Sequence, residues 1–105
     1  MAAELYLRFK DLEWYNKHKD DIIRSLLNLN TFVKKNNNEI WLKGLESIEN
    51  PYYDVRLFID YKNSIFLEIS FRPPTIKLSL KLFFNWLRTE TSIIIEDEDG
   101  DESVW

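Results

Sequence analysis

The chain has 105 residues, of which 45% are hydrophobic, 15% aromatic and 30% charged, with two Gly and three Pro. That length fits a single domain, residues 1–105, burying roughly 65% of its unfolded surface, and the aromatic content excludes a disordered chain. The absence of cysteine excludes disulfides, thiolate nucleophiles and Cys-ligated metals.

Net charge is −4, but residues 96–102 hold six acids in seven positions; taking these from the eighteen acids leaves twelve against fourteen basic residues. The acidity therefore belongs to one segment. No basic stretch followed by an apolar one opens the sequence, so no signal peptide is expected. Apolar runs reach only three residues, too short for a transmembrane helix. A cytoplasmic location is the expectation.

Taken in order, Leu5, Leu7 and Phe9 alternate with Tyr6, Arg8 and Lys10, which predicts a half-buried strand. Asp11 can cap a helix over residues 12–29, where Tyr15, Ile22, Leu26 and Leu29 fall at helical spacing. Thr31–Lys35 and Glu39–Lys43 flank Asn36-Asn37-Asn38 and predict a hairpin, since Asn tolerates left-handed turns. Residues 44–51 read as a loop. Tyr53, Val55, Leu57, Ile59 and Tyr61 alternate strictly, as do Ile65, Leu67, Ile69 and Phe71, and Lys62-Asn63-Ser64 turns between them. Arg72-Pro73-Pro74 stops the sheet. Residues 75–89 fit both periods, but the Pro-Pro-Thr entry and the Leu, Lys and Arg content predict a helix. Ser92–Glu96 is the last strand. The expectation is an α+β fold in the order β-α-β-β-β-β-α-β, a mostly antiparallel sheet of about six strands with two helices on one face.

Catalysis finds few candidates. His18 is the only histidine, so no His pair can bind zinc, and its place beside Tyr15 and Ile22 suits a structural role. Gly44 and Gly100 cannot supply a glycine-rich phosphate loop or a nucleophile elbow. Asp54, Asp60 and Glu68 are expected on the outer faces of the central strands, where carboxylate chemistry would need a facing pair across a cleft. No catalytic residue, cofactor or metal is expected. An RNA-binding reading would use Tyr6, Arg8, Lys10, Lys34, Lys35, Lys43, Arg56 and Phe58 on an open sheet face. Glu4, Asp54, Asp60 and Glu68 interrupt it, so no direct nucleic-acid contact is expected.

The acidic run is the feature that points to function. It continues the strand Ile93-Ile94-Ile95 and leads to Val104-Trp105, so acids held by a sheet lie near an indole suited to anchoring a partner. The candidate partner-binding residues are Glu96, Asp97, Glu98, Asp99, Asp101, Glu102 and Trp105, a surface complementary to a basic protein. Failing that, Tyr53, Arg56, Phe58 and Tyr61 are the next candidates. In overall character, and in the segment from Ile93 to Trp105, the chain resembles the immunity proteins of bacterial polymorphic toxin systems, both contact-dependent growth inhibition and nuclease-colicin types. The resemblance implies a cytoplasmic antitoxin that covers a cognate toxin, a basic nuclease domain, without touching a membrane. The alternative is an acidic adaptor or a phage-type inhibitor that mimics nucleic acid.

Overall fold

Alternation of apolar and polar side chains shapes six strands in the computed structural model, which describes residues 3–46, 52–103 and 105. They are β1 (Ala3–Phe9), β2 (Phe32–Asn36), β3 (Glu39–Leu42), β4 (Val55–Tyr61), β5 (Ser64–Ile69) and β6 (Ile93–Asp97). All pair antiparallel in the order β2-β3-β4-β5-β1-β6. The helices are α1 (Leu12–Lys17), α2 (Lys19–Leu27) and α3 (Pro74–Glu90). The fold is therefore α+β with a six-stranded antiparallel sheet, as the alternation predicts. No helix among the described residues is long and apolar enough to cross a membrane.

One face of the sheet carries the core. Leu5, Leu7, Ile40, Leu42, Leu57, Ile65, Leu67 and Ile95 are buried with Tyr15 of α1, Ile22 and Leu26 of α2, and Ile76, Leu80, Phe83, Phe84 and Leu87 of α3 in one cluster. All three helices thus cover the same face. Over residues 75–89, alternation competed with helical spacing. The helix forms because Pro74 suits its first turn, and because Ile76, Leu80, Phe83 and Leu87 then make one buried stripe.

Three local expectations are corrected. The predicted helix over 12–29 is two helices, broken at His18 and ending at Leu27. The Asp11 carboxylate caps the first by accepting from the Trp14 amide at 3.1 Å. His18 Nδ1 donates to the Trp14 carbonyl at 2.8 Å while its ring stacks on Trp14 at 4.4 Å, so the histidine closes the junction. Asp54 does not lie on an outer face but is fully buried, where its Oδ2 accepts from the Gly44 amide at 2.8 Å. Gly44 itself lies so close to Pro73 that an added Cβ would meet it at 2.5 Å. The rest of the predicted loop, 47–51, lies outside the described residues.

The third correction concerns β4. Tyr61 does not share the inward face of Val55, Leu57 and Ile59. The pairing slips by one residue between Phe58 and Tyr61, with Asp60 at φ +67°, and such a bulge turns the next side chain to the other face. Lys62 and Asn63 then both take positive φ, the requirement of a tight two-residue hairpin turn. The bulge frees the Asp60 amide, which donates to the Tyr15 hydroxyl at 2.8 Å, while the Asp60 carboxylate pairs with Lys19 at 2.9 Å.

Burial pushes the Tyr15 phenol up to about 12 from its ordinary 10.0. Its contribution to stability is complete below the unfolded value and is lost as pH climbs from about 10 to about 12, a change worth about 3 kcal/mol. Tyr15→Phe is expected to flatten the loss of stability across that window in chemical denaturation. At neutral pH it should cost about 1–2 kcal/mol, because the Asp60 amide loses its acceptor.

Candidate functional site

Because successive residues of a strand face opposite ways, inward Leu5, Leu7, Leu57, Ile65 and Leu67 leave Glu4, Tyr6, Arg8, Arg56, Phe58, Phe66 and Glu68 on the face without helices. Antiparallel register then sets these side chains in rows. Glu96, Tyr6, Phe66, Phe58 and Glu39 stand directly opposite one another across β6, β1, β5, β4 and β3. Glu102 extends the row beyond Glu96. Three partly exposed rings occupy its middle, with Tyr6 and Phe66 at 5.1 Å and Phe58 and Phe66 at 5.5 Å. Tyr61, turned outward by the bulge, adds a fourth ring 5.3 Å from Phe66. Acids stand at both ends.

A second row runs beside it: Glu4, Glu68, Arg56, Trp41 and Lys34. Arg56 Nη2 donates to Glu68 at 2.7 Å and Nη1 to Glu39 at 3.3 Å. Its guanidinium also lies 4.8 Å from the Tyr53 ring and 5.4 Å from that of Phe58. Desolvation would lower the Arg56 pKa, but hydrogen bonding and attraction from Glu68 outweigh it and hold the value above the ordinary one. The guanidinium is thus a fixed part of the surface. Trp41 Nε1 is buried without a hydrogen-bond acceptor. Arg8, on the other side of the aromatic row, pairs with Glu96.

Carboxylates bound the open face and engage both of its arginines. Arg8, Arg56 and Lys34, with Lys62 over the Tyr61 ring, share it with Glu4, Glu39, Glu68, Glu96 and Glu102. The Tyr6 phenol is raised, first by desolvation and then by Glu4, so it remains a neutral donor at physiological pH. Rings that prefer partial burial, bounded by acids, make a surface suited to a protein bearing cations.

The seven residues singled out from the sequence divide between the two faces. Glu96 and Glu102 lie at the open-face edge, opposite each other. Glu98, Asp99 and Asp101 are exposed in the turn that joins them. Asp97 holds that turn: its Oδ1 accepts from the amides of Asp99 at 2.9 Å and Asp101 at 3.0 Å, and Gly100 takes φ +83°. The Ser103 amide returns to the Ile95 carbonyl at 2.7 Å, so residues 97–103 form an ordered reverse turn against β6. Trp105 lies on the helix side, its ring 5.9 Å from Phe84 and 5.7 Å from the Arg72 guanidinium. It is not brought together with the glutamates.

Phe66 at the centre of the aromatic row and Glu39 at its end were not singled out from the sequence. Their signal was present as polar and aromatic residues at the outward positions of each alternating strand, but the sheet order that aligns them lies in no single strand. Of the residues an RNA reading would use, Tyr6, Arg8, Lys34, Arg56 and Phe58 share the open face. Lys35, opposite inward Ile40, faces the other way. Among the described residues no group of three or more His, Cys, Asp or Glu is arranged to hold a metal ion. Comparison with protein families, with curated proteins and with solved structures finds no match to this chain.

Proposed function

We propose that the chain is a binding protein that neutralises a cognate toxin domain, a basic nuclease, by docking it on the open face of the sheet. The observation that carries this reading is the row Glu102, Glu96, Tyr6, Phe66, Phe58, Glu39, three rings between acids. An aromatic centre supplies the desolvated contact of a hot spot and the flanking acids supply steering. Glu96 and Glu102 stand directly opposite each other at the edge of this row, with Arg8 paired to Glu96. Phosphates would meet a face whose arginines are already paired with carboxylates, which argues against an RNA platform.

The test is capture of the partner from native cells followed by binding measurements on a variant with Glu96, Asp97, Glu98, Asp99, Asp101 and Glu102 replaced by Gln and Asn. Asn at 97 keeps the oxygen that holds the turn. The variant loses both the Glu96–Glu102 repulsion and the largely exposed Arg8–Glu96 pair, so stability should change by less than about 1 kcal/mol. Affinity at low salt should fall at least about tenfold, roughly 1.4 kcal/mol, with slower association and a flatter salt dependence. A variant that binds as tightly and as salt-sensitively as the parent would remove the acidic edge from the interface.

A further inference from the structure

The helix side of the same edge carries the opposite charge. Arg72, Lys77, Lys81 and Trp105 line a cleft of about 280 Å³. Lys77 and Lys81 are one turn apart on α3 and so project from the same flank, and Arg72 reaches in from the segment that joins β5 to α3. Among the described residues the ion pairs use Arg8, Lys17, Lys19, Arg24 and Arg56. None of the three cations of the cleft is among them, so no described carboxylate lies within ion-pair distance of their nitrogens. Three cationic side chains therefore line one cleft with no ion-pair partner among the described residues.

The indole makes the cleft more than a patch of lysines. The reverse turn carries Trp105 to the helix side, where Phe84 meets it nearly edge-on at an interplanar angle of 75° and Arg72 stands over its ring. The ring remains partly exposed, a flat polarisable surface next to three cations. A ligand that satisfies both features needs multiple negative charge and a flat ring. We propose that this cleft binds a nucleoside phosphate, its phosphate oxygens held by Arg72, Lys77 and Lys81 and its base set against Trp105. Guanidinium and ammonium groups are the usual donors to phosphate, and aromatic side chains take a base by stacking. This site is on the opposite side of the sheet from the docking face and does not depend on it.

The experiment is calorimetric titration of the whole chain at low salt with ADP, inorganic pyrophosphate and adenosine. ADP is expected to bind at one site per chain, at least about tenfold more tightly than either pyrophosphate or adenosine. The Lys77→Gln/Lys81→Gln variant alters only exposed side chains and should retain the fold. It should weaken ADP at least about tenfold and remove most of the salt dependence, while Glu102→Gln should leave ADP binding unchanged. Trp105→Leu, which keeps an apolar contact to Phe84, should bring ADP down to the affinity of pyrophosphate. The proposal is overturned if ADP does not bind at millimolar concentration, if pyrophosphate binds equally well, or if the lysine variant binds ADP like the parent.

Discussion

Leu67→Ala should cost about 2–5 kcal/mol of folding stability, the largest single-residue effect expected on the fold. Leu67 is fully buried on the central strand β5, directly opposite Leu5 of β1 and Leu57 of β4. Truncation loses the transfer free energy of the removed carbons and leaves a cavity that two flanking strands and the helix layer cannot close. A domain of this size has about 5–15 kcal/mol in total, so the variant should unfold at markedly lower denaturant. Its slope against denaturant should be unchanged if the native state stays as compact. A loss below about 1 kcal/mol would mean that Leu67 is not in the core.

The same strand shows which features were legible in the sequence. Strict alternation in Tyr53–Tyr61 and Ile65–Phe71 specifies two strands, and the Lys62-Asn63 pair marks the turn between them, because these signals are local. What alternation cannot show is an interruption of its own phase. The bulge at Asp60 sends Tyr61 outward, and the bend before β4 buries Asp54 while Tyr53 packs against Trp41 at 5.0 Å. Both departures bring rings to the open face, yet in the sequence each looks like one more alternating position. The break at His18 is hidden for a related reason: Tyr15 and Ile22 keep helical spacing across it, so the apolar stripe continues although the helix does not.

The candidate site divides along the same line. The acidic run is contiguous, so the sequence displays it, and its direct continuation from β6 correctly implies that Glu96 and Asp97 are held by the sheet. The position of Trp105 depends on the path of the reverse turn after Asp97, which antiparallel return to Ile95 sends toward the helices. Grouping it with the acids therefore joined residues that the fold separates. The aromatic row is less legible still. Tyr6, Phe66 and Phe58 come from three strands, and they align only because β1 enters the sheet between β5 and β6, a long-range pairing that no local pattern encodes.

Phe66→Ala should weaken binding to the captured partner by at least about 100-fold, roughly 2.7 kcal/mol, while costing about 1–2 kcal/mol of stability through its three lost ring contacts. Phe66 is the neighbour of Leu67 in sequence but points to the opposite face, where it is partly exposed and touches Tyr6, Phe58 and Tyr61. It is the hub of those rings, so its removal opens the centre of the patch, where truncations cost most because water enters an otherwise excluded contact. The effect should fall mainly on dissociation and should persist at high salt, whereas the amide variant of the acidic edge should act on association and fade as salt rises. Measured by surface plasmon resonance over a range of ionic strength, the two variants therefore separate anchor from steering. Should Phe66→Ala bind within about threefold of the parent while Leu67→Ala behaves as expected, the fold assignment would stand and the open face would not be the docking surface.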